Sequence, residues 1–469
     1  MMRMVRSYRL VLWALLLNGS RLVAQELAIA NVTVVAPAHR RLIPGVTVII
    51  QGDKIRAVNP SSRVKLRPQT RIVDGKGKFL IPGLWDMHVH MAVEPDLPRP
   101  NPAETFFAPM YIVNGITGVR CTSGSLATTR ALRAAIAGGR PGPQIVATGQ
   151  VLDGPDPRRR DMSTVISCPS PEQGRHAVQE LKRAGADFIK VYEGLDRDTY
   201  TAIATEAQRS GLAFVGHVPA SIDAAEASRA GQKSIEHLSR VFLTCSSKKD
   251  DLRTLGLRVR RQNVEAMAAE SYDSVRCEEL FDVFRKNGTW HTPTLVLHEA
   301  RVLIGDPQFM SDHRWKVFQS SEGWMKAPPL PLGFSREQRD QYFAHQIHLV
   351  QSMHRAGIRL LAGTDSPNPF VYPGDSIHDE LRLLVRAGLT TFEALQTATS
   401  SPAEFFGFSN ILGSIEPRKD ADMVLLDANP IDNISNTRSV AAVFAKGRFY
   451  DRADLSKLRS AAEAQQPAK

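Results

Sequence analysis

Phe79-Leu80-Ile81-Pro82-Gly83-Leu84-Trp85-Asp86-Met87-His88-Val89-His90 is an apolar run that ends in two histidines one residue apart. Side chains alternate faces along a strand, so residues at i and i+2 point the same way. Imidazoles placed side by side suit a zinc-like ion held by nitrogen and oxygen ligands. The pair alone is weak evidence. It gains weight from Lys190, His217, His237 and Asp365, metal-competent residues that each lie at the end of a later apolar stretch.

Working outward, short apolar segments alternate with helical runs from 79 to 408. The predicted strands cover residues 83–89, 118–121, 144–148, 188–192, 213–217, 234–237, 289–297 and 360–363, with amphipathic runs such as 171–184 and 198–210 between them. Eight strands alternating with helices imply an α/β fold, a (β/α)8 TIM-type barrel. The loops after the strands of such barrels host the chemistry, and all six candidate residues fall there. Residues 244–285 and 301–345 read as added helical material over the mouth. Residues 25–78 and 409–455 are strand-rich, with Gly52-Asp53 marking a tight turn. Neither flank makes a convincing sandwich alone, so they are expected to pair as one small β-sandwich domain around the barrel insert. Residues 456–469 read as a flexible tail.

The first 24 residues resemble an export signal. Arg3, Arg6 and Arg9 precede an apolar stretch, Leu10–Leu17, too short to span a membrane, and Ala24 is a plausible cleavage position. A retained amphiphilic anchor is the alternative. The expected mature protein is secreted or periplasmic, with no stable membrane insertion. Loss of Arg3, Arg6, Arg9 and Arg21 takes the net charge from +11 to +7. Arg158-Arg159-Arg160 reads as a solvated charge run. No basic stripe interleaved with aromatics appears, which argues against nucleic acid as a partner. Cys121, Cys168, Cys245 and Cys277 form no C-x-x-C motif. Cys245 and Cys277 could pair in an oxidising compartment, but four isolated buried thiols is the preferred reading.

Lys190 lies inside Phe188-Ile189-Lys190-Val191-Tyr192, where a bare ammonium is costly to bury. Either its stem packs while its head reaches solvent, or it is carboxylated by carbon dioxide into an anionic oxygen ligand. Asp365, in Ala362-Gly363-Thr364-Asp365-Ser366, is either a loop or cap residue or a metal-bound carboxylate that accepts a proton from attacking water. Tyr192, two residues beyond Lys190, and His291, on the seventh strand, are the candidate substrate contacts; core packing competes for Tyr192. His378 reads as a surface residue at a helix start.

Taken in order, Ile81–His90, Gly185-Ala186-Asp187-Phe188-Ile189-Lys190, Gly216-His217, Ser234-Ile235-Glu236-His237, Gly363-Thr364-Asp365 and Gly413-Ser414-Ile415-Glu416-Pro417 resemble the amidohydrolase superfamily. The likeness is to its imidazolonepropionase-like and Xaa-Pro dipeptidase (prolidase)-like branch. The resemblance implies two divalent ions, zinc by default with manganese or cobalt acceptable. His88, His90 and Asp365 would hold one and His217 and His237 the other, with carboxylated Lys190 bridging them. The expected reaction is hydrolysis of amide bonds in dipeptides or N-acyl amino acids by a hydroxide shared between the metals, with Asp365 as general base and acid. Opening of a cyclic amide or imidazolone is the enzymatic alternative. A non-catalytic solute-binding barrel is the alternative from another class, and a serine hydrolase is disfavoured because no G-x-S-x-G elbow occurs.

Overall fold

The computed structural model describes residues 26–91, 102–155, 164–255, 259–312, 314 and 329–464. The expected leader and Arg158–Arg160 lie outside the described residues.

The chain builds a TIM-like barrel carried on a sheet made from both ends of the sequence. In the sheet, strand Glu26–Ala36 pairs antiparallel with Arg41–Gln51, which returns through the Gly52-Asp53 turn to Lys54–Pro60. Gly52 has φ +63, the left-handed conformation such a turn requires. Phe79–Pro82 lies parallel to the first strand and antiparallel to Met423–Leu426, so it joins the two ends of the chain. Sequence placed this segment in the barrel; hydrogen bonding puts it in the terminal sheet. The sheet is one mixed, hydrogen-bonded array of eight strands. Its apolar face has its own core, including Ile29, Val34, Val48, Leu80, Met423 and Phe444.

The barrel strands are β1 (Leu84–Val89), β2 (Ile116–Cys121), β3 (Gln144–Ala147), β4 (Ile189–Val191), β5 (Phe214–Gly216), β6 (Ser234–Glu236), β7 (Trp290–Thr292) and β8 (Arg359–Leu360). Parallel ladders join β1 through β3 and β4 through β8. Asp187 N bonds to Ala147 O at 2.9 Å across the first gap. Met87 N bonds to Ala362 O at 2.9 Å and Asp365 N to His88 O at 2.7 Å across the second. Predicted strand 289–297 stops early: Thr294 has φ 52 and helix Leu295–Leu303 begins there.

Trp85, Met87, Val146, Phe188, Val215, Trp290 and Leu361 fill the barrel floor together with Phe405. Helices surround the strands, and within the predicted insertion 244–285 helix Val241–Cys245 packs on helices Arg261–Glu270 and Ser274–Asn287. Among the described residues, no helix is long and apolar enough to cross a membrane.

Two expectations are corrected here. Residues 452–464 form a helix, Arg452–Ala464, rather than a flexible tail; Leu455 and Ala462 are buried on the inner face. Cys245 and Cys277 form a disulfide with Cα atoms 4.6 Å apart, rather than remaining isolated thiols. The bond ties helix Val241–Cys245 to helix Ser274–Asn287. Cys121 and Cys168 are free and buried, as read from sequence.

Candidate metal centre and active site

On β4, Phe188 faces the floor, and Lys190 and Tyr192 follow at two-residue steps toward the mouth. Val215 and His217 repeat this on β5. Two strands depart from simple alternation. β1 carries Trp85 and Met87 into the floor, then shifts register against β2 between Asp86 and Val89. The irregularity re-phases the strand, so that His88 and His90, rather than Val89, meet Asp365. After β6, His237 has φ 57, which turns its ring over the mouth; Asp365 has φ 66. Positive φ at non-glycine residues is strained, and here it occurs at two of the five strand ends that deliver ligand-type side chains.

Two glycines allow the strands to close on the site. A Cβ on Gly216 would lie 2.2 Å from Val191 O, and one on Gly363 would lie 2.9 Å from His88 N. These close approaches give the glycines of the Gly-His and Gly-Thr-Asp motifs a steric reason.

His88, His90 and Asp365 place one potential ligand atom each within 4.8 Å of one another. Asp365 Oδ1 lies 2.7 Å from His90 Nε2 and 3.3 Å from His88 Nε2, while its Oδ2 lies 3.8 Å from His237 Nε2. His237 and His217 meet edge to face at 4.9 Å between ring centres. Lys190 Nζ is 3.0 Å from His88 Nε2. All six sequence-predicted ligand residues therefore form one cluster.

Each imidazole is anchored by its other nitrogen. His88 Nδ1 donates to Glu236 at 2.9 Å and His217 Nδ1 to Glu193 at 2.8 Å. His237 Nδ1 lies 2.7 Å from Thr294 Oγ1, whose own proton goes to Pro293 O, so the ring is the donor. His90 Nδ1 lies 2.6 Å from Ser123 Oγ. These ties aim the Nε2 atoms inward, the arrangement that orients histidine for metal binding. Burial keeps His90 and His237 below the usual imidazole range and takes His217 to about 3, which favours the neutral form that ligation requires. Burial also lowers Lys190 to about 8, bringing the uncharged amine within reach near neutral pH. For Asp365 burial opposes ionisation, but the adjacent histidines His237, His88 and His90 hold its carboxyl well below the usual range. The donor set and its protonation fit divalent metal ions.

Beneath the cluster lies a buried polar network that sequence reasoning missed. Arg120 is fully buried and donates to Glu236 at 2.8 Å, to Ser234 at 2.8 Å and to Thr292 at 3.0 Å. Asp86 accepts from Thr364 Oγ1 at 2.6 Å, and burial raises its carboxyl to about 7. Arg261 donates to Glu193 at 2.6 Å. Glu236 was in the quoted Ser234–His237 motif, and its two-residue spacing from Ser234 was an available sign that it faces inward.

Tyr192 stacks on His217 with ring centres 4.0 Å apart, at the edge of the cluster. His291 does not join it. On β7, Trp290 faces the floor and Thr292 reaches Arg120, which leaves His291 on the outer face beside its cross-strand partner Ile235. Its ring packs against Phe284 at 4.5 Å, and neither nitrogen has a partner among the described residues. His378 is likewise buried rather than on the surface, 2.9 Å from Thr437 Oγ1.

Residues 79–450 match the model of the amidohydrolase family. The chain belongs to that family. A candidate prolidase from Bifidobacterium longum superposes with a TM-score of 0.69 at 24% identity, covering 94% of this chain and 99% of its own. A Xaa-Pro dipeptidase with methionine bound in its active site gives 0.66 at 21% identity, covering 91% and 100%. These likenesses establish a common fold. An adenine deaminase from Desulforamulus reducens is 35% identical over 106 residues, 20% of this chain and 17% of the deaminase. Another, from Rubrobacter xylanophilus, is 32% identical over 65 residues, 14% of this chain and 11% of the deaminase. The chain thus matches less than a fifth of the length of either curated relative.

Proposed function

We propose that this amidohydrolase is a binuclear, metal-dependent enzyme that cleaves amide bonds of dipeptides or N-acyl amino acids. The observation that carries the reading is the inward set of four imidazoles, three about Asp365 and His217 edge-on to His237, each anchored through its outer nitrogen. His88, His90 and Asp365 would hold one ion and His217 and His237 the other, with Lys190, carboxylated on its uncharged amine, between them. Zinc is the default, with manganese and cobalt compatible with the same ligands. When bound, such a pair supplies a water of lowered pKa and an electrophile for the amide carbonyl.

The chain's own residues do the rest. Asp365, ionised at the start, takes the proton of the attacking water and returns it to the departing nitrogen. Glu236 and Glu193 hold His88 and His217 in the Nδ1–H tautomer, and Arg120 balances the charge of Glu236. Tyr192 lies beside His217, where its phenol can contact a substrate oxygen. The dipeptidase names among the structural neighbours support the substrate class, and the deaminase segments are consistent with attack on a carbon–nitrogen bond. Export to an oxidising compartment is part of the proposal, supported by the Cys245–Cys277 disulfide.

The test is metal content per chain after purification without chelator, followed by a screen of dipeptides, N-acyl amino acids and cyclic amides. About two equivalents with hydrolysis of linear amides is the expected result. No metal uptake after addition of zinc or manganese would defeat the metal-dependent reading, and hydrolysis of cyclic amides alone would defeat the substrate assignment.

A further inference from the structure

The groups that support the ligand histidines come from two different places. His88 rests on Glu236 of β6, which Arg120 of β2 backs, and His90 rests on Ser123, just after β2. Those supports belong to the barrel itself. His217 and His237 lean in addition on the insertion between β6 and β7. Arg261 opens helix Arg261–Glu270 and donates through Nε to Glu193 Oε1 at 2.6 Å. His217 Nδ1 lies 2.8 Å from that same oxygen. Glu265, one turn further along the helix, accepts from Arg240 N at 2.7 Å.

Both contacts fall where the rim needs holding. The side chain of Glu193 lies beyond the end of β4 and is 24% exposed, whereas that of Arg261 is 4% exposed. A carboxylate at a strand end can turn unless a second donor fixes it, and the buried guanidinium fixes the oxygen that orients His217. After β6, His237, Leu238 and Arg240 have φ of 57, 54 and 59, three left-handed residues within four. Such a segment persists only where its surroundings over-determine it. Thr294 anchors the ring of His237, and Glu265 ties the main chain that follows it. Both histidines assigned to one ion therefore depend on helix Arg261–Glu270, and neither histidine of the other ion does.

That helix lies within a covalently closed segment. The Cys245–Cys277 bond joins helix Val241–Cys245, which begins directly after Arg240, to helix Ser274–Asn287, which leads toward β7. Beside it, Asp273 N donates to Cys245 O at 2.9 Å. A cross-link between the two ends of an insertion disfavours its local opening.

We propose that Arg261 and Glu265 are positioning residues for the ion held by His217 and His237, and that the Cys245–Cys277 bond braces the helix that carries them. The inference rests on the binuclear reading above. The insertion is then a support for one of the two metal positions.

The experiment titrates metal-free full-length protein with cobalt in bicarbonate buffer, in competition with a chromophoric chelator, and follows the visible spectrum of the bound ions. The unmutated protein should bind two. In Arg261→Met one ion should bind about 10–100-fold more weakly, while the other changes by less than about twofold. The spectrum of the weakened ion should shift, and Arg261→Lys should recover part of the affinity. Cys245→Ala/Cys277→Ala should weaken the same ion by a smaller factor, and its combination with Arg261→Met should fall short of the product of the two effects. Equal weakening of both ions, or two ions held as tightly in Arg261→Met as in the unmutated protein, would overturn the inference and leave the binuclear reading standing. Effects that multiply in full would remove the bracing role of the disulfide. A single equivalent in the unmutated protein would defeat the binuclear reading and the inference with it.

Discussion

At the floor of the barrel, Phe188, Val215, Trp290 and Leu361 meet as a dry apolar plug. Two residues further along β4, β5 and β7, and four beyond Leu361 after β8, the inward positions are Lys190, His217, Thr292 and Asp365. A single step of strand alternation separates oil-like packing from a cluster of buried ionisable groups. The floor gains stability from removing apolar area from water. The mouth gives stability up, because Lys190, Asp365, Glu236 and Arg120 are buried with charges that need compensation. The scaffold is thus rigid directly beneath the groups that must be held in place, and strain at His237 and Asp365 is supported from below.

The sharpest way to break this contrast is at Asp365. Asp365→Asn should lower kcat by about 10²–10⁴-fold, the range for loss of a general acid–base group. Circular dichroism melting should show a protein at least as stable as the parent. A variant that keeps its rate would remove the proton-transfer role, and one that fails to fold would erase the division between the two ends.

Trp290→Ala tests the opposite end. Loss of a buried indole should cost about 3–5 kcal/mol in denaturant unfolding, with the folded fraction still able to bind metal. Loss of metal binding in protein that remains folded would show that the floor positions the ligands individually rather than as a platform.

Glu236→Gln lies on the boundary, and both readouts should move. Metal affinity should drop about 10–100-fold because His88 loses its charged anchor, as measured by competition with a chromophoric chelator. Stability should fall as well, since Arg120 keeps a buried charge without its counter-ion. An effect on only one of the two would show that the network serves a single end of the barrel.

The last test is a pH slope. Glu380 accepts from Val296 N at 2.8 Å, and burial raises its carboxyl to about 8 from 4.5. The unfolded chain therefore releases this proton at lower pH than the folded protein. Stability contributed by the protonated form is complete below about 4.5 and is lost as pH rises through about 8. Glu380→Gln should flatten that part of the profile of melting temperature against pH. An unchanged slope would show that this group does not contribute.

The pattern of apolar segments was enough to predict the eight-strand barrel and the six-residue cluster, because each ligand-type residue lies at or beside a strand end and strand ends share one rim. Lys190 is the clearest example, an interior lysine two steps from Phe188 on a strand whose phase is uninterrupted. His291 shows the limit. Its strand is only Trp290–Thr292, too short for sequence to reveal that Trp290 faces inward and His291 outward. The Cys245–Cys277 bond was equally hidden, since 32 residues of separation say nothing of a 4.6 Å Cα distance.

By itself, then, the sequence determined the parts that depend on local order along the chain: strand and helix alternation, the step-of-two phase on β4 and β5, and the residue types at the rim. Tertiary structure alone decided the parts that depend on distant segments meeting. It brought Arg120 under Glu236 and Glu193 between His217 and Arg261. It also decided the re-phasing of β1 that turns His88 and His90 to the same centre. The physical reason is that alternation is set by neighbouring residues, whereas charge compensation in a buried site is set by whichever groups the closed barrel brings within a few ångströms.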